Sequence, residues 1–104
     1  MGTQIPGQKT EGETRTRSKS SRPPLHKVML HNDDYTSMEF VVNILEDVFH
    51  KTPSEANRIM LNVHVDGVGV AGVYPFEIAE MKVTKVHSMA RQEGYPLRCS
   101  MEEE

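Results

Sequence analysis

Two carboxylates and a carboxamide stand in a row at Asn32-Asp33-Asp34, and a histidine, His64, follows further along the chain. Together they are a set of hydrogen-bond acceptors: a carboxamide oxygen, two ionised carboxylates and, while the imidazole is neutral, a ring nitrogen. Such a set can act in general acid/base chemistry or receive the donors of a bound ligand. The catalytic option lacks companions. No serine or cysteine has the context of a nucleophile, and no glycine-rich loop is built for phosphate. His26, His31, His50, His64 and His87 lack the close spacing of metal ligands, and Cys99, the single cysteine, has no CxxC partner. The plainer role of Asn32-Asp33-Asp34 is a turn with a helix cap, since these side chains bond their own backbone. For His64 the plainer role is to complement the carbonyl end of a helix. On residue types alone the chain reads as a small acidic binding domain.

The elements that must position these residues follow from spacing and punctuation. Pro23-Pro24 marks a boundary, and Leu25 to Leu30 reads as a strand ending at the polar turn. Thr36-Ser37-Met38-Glu39 has the capping-box spacing, with Thr36 as the cap, so a helix begins there. Met38, Val41, Leu45 and Val48 share one of its faces, widened by Phe40 and Ile44. Thr52-Pro53-Ser54-Glu55 starts a second helix with proline in its first turn, and Ala56, Ile59, Met60 and Val63 form its apolar stripe. Val65-Asp66-Gly67 ends that helix in a glycine turn, leaving His64 in the last turn. Val68, Val70 and Val73, interrupted by Gly69 and Gly72, predict a strand with a bulge or close backbone approaches. A long helix opens at Pro75, with Phe76, Ala79, Val83, Val86 and Ala90 as its buried seam, and ends at Gly94. Tyr95 to Met101 then alternates as a third strand, with Leu97, Cys99 and Met101 on one face. The order β-α-α-β-α-β predicts an α+β two-layer sandwich: a three-stranded, mostly antiparallel sheet with three helices on one face.

Composition sets the class. A chain of 104 residues with 37% hydrophobic and 26% charged residues allows one small domain. No apolar run approaches the roughly 20 residues that cross a bilayer, so a cytoplasmic protein with no membrane contact is expected. Residues 1–24 are rich in Gly, Thr, Ser, Lys and Arg and are expected to be disordered. Five cations (Lys9, Arg15, Arg17, Lys19, Arg22) against Glu11 and Glu13 give this extension +3, so the domain of residues 25–104 carries −6 of the overall −3. An acidic body, with no aromatic residues interleaved in the basic extension, argues against nucleic-acid binding. The lone Cys99 fits a reducing compartment and a place in the core.

The blocks Asn32-Asp33-Asp34-Tyr35-Thr36, Met38-Glu39-Phe40-Val41, Arg58-Ile59-Met60-Leu61, Val63-His64, Gly72-Val73, Glu77, Ala79-Glu80, Lys82-Val83, Pro96-Leu97 and Cys99 closely resemble, in order, the ClpS family of adaptors. The resemblance runs from about Lys27 to Glu102. It implies a monomeric adaptor, without cofactor, metal or catalytic activity, that brings N-degron substrates to the amino-terminal domain of a ClpA-type AAA+ unfoldase. By this resemblance Asn32, Asp33 and His64 hold the substrate's α-amino group, an ammonium with three donors, while Asp34 and Thr36 assist the first peptide units. Met38, Val41, Met60, Val63 and Leu97 form the pocket for its first side chain (Leu, Phe, Tyr or Trp), with His31 on the rim. Glu77, Glu80 and Lys82 face the unfoldase.

The chain departs from the family pattern at four positions. Ser37 stands in place of a usual proline, His31 in place of an aliphatic residue, Ala71 in place of a frequent cysteine and Met81 in place of a frequent threonine. Two competing readings stay open at the level of sequence: the same fold used as a ribosomal-stalk-like or other peptide-recognition module, and a small hydrolase using Asp33 and His64.

Overall fold

The computed structural model describes residues 22–104, so nearly all of the extension expected over 1–24 lies outside the described residues. Six elements follow in the expected order: β1 (Leu25–His31), α1 (Met38–Asp47), α2 (Pro53–Asp66), β2 (Val68–Pro75), α3 (Phe76–Glu93) and β3 (Arg98–Glu103). The strands form one sheet in the order β2-β1-β3, with both pairings antiparallel.

β1 is central because its alternation suits a sheet covered on one side: Val28 and Leu30 are fully buried, while Lys27, Met29 and His31 on the other face are only half-buried. The helices cover the first face. Ile44 and Leu45 from α1, Ala56, Ile59 and Val63 from α2, and Ala79, Val86 and Ala90 from α3 join Val28, Leu30, Ala71 and Cys99 in one core. Lys27 reaches Glu102 at 3.7 Å across the open face. The pairing of β1 with β2 slips between Val28 and Met29, whose partners are Gly72 and Val70, so Ala71 is the extra residue of a bulge. Gly69 is the close approach: a Cβ there would lie 2.8 Å from Val63 Cγ2 and 3.4 Å from the Ile59 carbonyl oxygen, which lets α2 settle against β2.

The helix ends separate what propensity specifies from what neighbours decide. At α2 the reciprocal cap forms as expected. The Glu55 N–H donates to Thr52 Oγ1 at 3.2 Å, and the Thr52 N–H donates to Glu55 Oε1 at 3.1 Å. At α1 the cap is Ser37, not Thr36, with Phe40 N–H donating to Ser37 Oγ at 3.1 Å. Thr36 is instead oriented toward Asp33, whose carboxylate accepts its hydroxyl at 2.8 Å and its N–H at 2.7 Å, charge-assisted bonds that fix it in the turn before the helix. The third strand begins three residues later than its pattern suggested. Tyr95 leaves the ladder to pack on Phe40, with ring centroids 4.9 Å apart, and Pro96 has no N–H to pair. Phe76, expected in the buried seam of α3, is half-exposed at the first turn and meets the His26 ring edge-on at 5.3 Å.

Gly69→Ala is expected to destabilise the domain by roughly 1–3 kcal/mol in urea unfolding, because the new methyl forces α2 off the sheet. An unchanged midpoint would mean that α2 can move outward freely.

Candidate functional site

The polar turn begins where β1 stops. Asp33 organises it: Oδ1 accepts the N–H groups of Tyr35 (2.8 Å) and Thr36 (2.7 Å), and Oδ2 accepts the Thr36 hydroxyl (2.8 Å). Burial works to raise its pKa, but these three donors outweigh it and hold the carboxyl below the ordinary Asp range. A carboxylate offers about four lone-pair sites, so about one acceptor position on Oδ2 stays available to a ligand. The turn is tied to α2 as well. Asn32 N–H donates to the Gly67 carbonyl at 2.9 Å, bringing Asn32 beside the helix end that carries Val63 and His64.

Between these parts opens a cavity of about 260 Å³ lined by Asn32, Asp33, Asp34, Thr36, Met38, Val41, Met60, Val63 and His64. Val41 and Val63 (2% exposed) are its floor and belong equally to the core; Met38 (46% exposed) and the half-buried Met60 are flexible walls. Asn32, Asp34 and His64 are exposed at the lip. Two carboxylates and no lysine or arginine line it, so the space combines an apolar interior with a negatively charged mouth. That suits a ligand with a cationic head next to one apolar group. It is smaller than the roughly 300–1,000 Å³ of drug-sized sites, a scale fitting a single side chain.

Two residues expected here are not on the lining. Leu97 is buried in the same core as the floor residues Val41 and Val63. The His31 ring is directed at β3, where Nε2 meets Ser100 Oγ at 2.7 Å, and its pKa is lowered by burial and by the charge of Arg98. The α3 residues form a separate region. Glu77 and Glu80 are exposed, whereas Lys82 turns inward: Nζ donates to the Val48 carbonyl at 2.7 Å and lies 5.0 Å from the Tyr74 ring centroid and 5.7 Å from that of Phe49. Helix α1 has no basic residue in its own last turn, so Lys82 supplies the cation its carbonyl end attracts. No sequence signal marks this pair, whose members are 34 positions apart.

A hollow of about 390 Å³ between α2 and β2 is larger, but Lys51 and Arg58 there face Glu55 and Asp66, so it gathers no charge of one sign. Cys99 is buried and its thiol is pushed up to about 12, far from a reactive thiolate. Among the described residues no three His, Cys, Asp or Glu side chains are grouped to hold a metal ion, and no helix is long and apolar enough to cross a membrane.

A three-stranded sheet with helices on one side and a charged-lipped pocket at the end of its central strand defines a small recognition module. Comparison with known proteins makes this specific. The family model for the ATP-dependent Clp protease adaptor protein ClpS matches residues 21–100. A ClpS of Desulfatibacillum aliphaticivorans is 62% identical over 91 residues, covering 88% of this chain and 88% of that protein. A ClpS of Nitratidesulfovibrio vulgaris (strain DSM 19637 / Miyazaki F) is 64% identical over 81 residues, covering 78% of this chain and 81% of that protein. Among solved structures, Agrobacterium tumefaciens ClpS2 bound to L-phenylalaninamide superimposes with a TM-score of 0.77 at 40% identity, over 80% of this chain and all (100%) of that one. The chain belongs to the ClpS family, whose members are adaptors of the Clp protease and not enzymes.

The folded protein keeps Asp33 ionised more strongly than the unfolded chain does, so its contribution to stability is complete above roughly pH 4 and fades as pH falls through the lowered folded value. Asp33→Asn is therefore expected to lower the urea midpoint at neutral pH, by a difference that shrinks at about pH 3. A deficit of equal size at both pH values would assign it to packing instead.

Proposed function

We propose that this adaptor binds N-degron substrates by their free α-amino group together with a bulky hydrophobic first side chain (Leu, Phe, Tyr or Trp), and delivers them to a ClpA-type unfoldase. The observation that carries this reading is the cavity in which Asn32, Asp33 and His64 stand on the lip of an apolar space lined by Met38, Val41, Met60 and Val63. The α-ammonium donates to the Asn32 carbonyl, the remaining Asp33 acceptor site and the His64 ring nitrogen, while Asp34 and Thr36 adjoin the first peptide units. L-phenylalaninamide, the molecule bound by the Agrobacterium tumefaciens relative, has this chemistry: an α-amino group beside one benzyl side chain.

Magnitudes explain why both halves are needed. Burying a Leu or Phe side chain contributes roughly 1.5–3 kcal/mol, and a charge-assisted hydrogen bond roughly 1.5–3 kcal/mol. The apolar half alone stays far below the roughly −8 kcal/mol of micromolar binding, and three such bonds, about 4.5–9 kcal/mol in all, approach it only until the costs of association are subtracted. Blocking the amine removes the charge and leaves the lip acceptors desolvated without donors. In fluorescence anisotropy, acetylating a peptide that begins with Phe is expected to weaken binding at least about tenfold, or about 1.4 kcal/mol. Equal affinity for blocked and free peptides would overturn the reading.

For delivery, the exposed Glu77 and Glu80 on α3 form the face presented to the amino-terminal domain of the unfoldase, and Lys82 holds that helix against α1. The face lies on a different helix from any that lines the pocket. Replacing both glutamates by lysine is expected to abolish capture by the isolated unfoldase domain while leaving peptide affinity within about twofold, a small effect because charges on separate exposed faces are screened. Loss of both properties together would mean that the two surfaces are not separate.

A further inference from the structure

The hydrogen bond from the Asn32 N–H to the Gly67 carbonyl joins the two halves of the acceptor lip: Asn32 and Asp33 follow β1, while His64 sits in the last turn of α2. Gly67 makes the joint possible. It is the C-cap of α2 at φ 89°, ψ −19°, its N–H donates to the Val63 carbonyl at 3.0 Å, and the next residue, Val68, pairs with His31 as β2 begins. In that left-handed conformation the chain turns at once from helix into strand, which directs the Gly67 carbonyl at the first residue beyond β1. A Cβ at Gly67 would meet nothing within 4 Å, so the reason for glycine is its backbone conformation and not space.

We propose that Gly67 is a positioning residue for amine recognition: by holding its carbonyl on the Asn32 N–H, it sets the spacing between the Asn32-Asp33 acceptors and His64. This rests on the reading of the lip as the α-amino site. Gly67 is exposed and does not line the cavity, so it acts on a ligand only through the residues it aligns. An L-residue there strains the turn, and relief of that strain moves the carbonyl and parts the acceptors. The floor and walls are anchored separately, Val41 and Val63 in the core, so selection of the first side chain is retained.

The test uses the full chain as wild type, as Gly67→Ala, and as a chemically synthesised form with D-alanine at position 67, which adopts positive φ without strain. Anisotropy compares three short peptides: one beginning with free Phe, the same peptide acetylated, and one beginning with free Ala. Gly67→Ala is expected to reduce the preference for the free over the acetylated Phe peptide by about fivefold or more, and to leave the Phe-over-Ala preference within about twofold. D-alanine is expected to restore the first ratio. A free-over-acetylated ratio unchanged in Gly67→Ala overturns the proposal, as does an equal fall in both ratios, which would mark general loosening of the fold. Wild type that ignores acetylation would instead overturn the amine-binding reading on which the proposal stands.

Discussion

The double pairing of β1 is the constraint on which the molecule depends. It bonds β2 along one edge and β3 along the other, and its two buried side chains, Val28 and Leu30, lie under the helices. Because side chains alternate across a strand, a slip of one residue would drive Lys27 and Met29 into the core and expose Val28 and Leu30. The register therefore has one solution, which fixes where the strand stops and where Asn32 leaves the sheet. A recognition turn attached to this strand inherits the rigidity of the whole sheet. One attached to an edge strand would be held by a single set of ladder bonds.

The pocket divides labour between fixed and adaptable parts. Val41 and Val63 cannot move without opening the core, and the Asp33 carboxylate is held by three donors within its own turn. Met38 and Met60 are the opposite: unbranched, polarizable and only partly buried, they can adjust around side chains of different shape. The acceptors impose one geometry, which under the proposed function suits a common ammonium group. The walls do not, which under the same proposal suits a variable first residue.

The architecture was legible in the sequence because its signals are local. Thr52-Pro53-Ser54-Glu55, the glycines at 67 and 94, and the alternation of buried residues each act over one turn of chain, and the element order followed from them. The nine lining residues were brought together by family resemblance, since spacing alone says nothing of how Asn32 approaches His64. Where the reading departed from the structure, a neighbour outranked a local preference. Thr36 is a good cap by type, but a carboxylate three positions back took its hydroxyl. Leu97 and His31 were assigned to the pocket by resemblance; the chain buries the first in the core shared with Val41 and Val63 and directs the ring of the second toward Ser100. The contact of Lys82 with Val48 joins α3 to α1 and has no trace in composition or period.

The single thiol offers an experimental handle that follows from its place. Cys99 pairs with Leu30 across the sheet, is 4% exposed, and its thiol is pushed up to about 12, so neither access nor ionisation favours reaction while the sheet is intact. A thiol-directed reagent added to the native protein should thus report the opening of the core between the sheet and its helices rather than surface chemistry. The same concealment frees the surface for engineering. A cysteine introduced on an exposed helix position can carry a dye or a cross-linker with the natural one left in place.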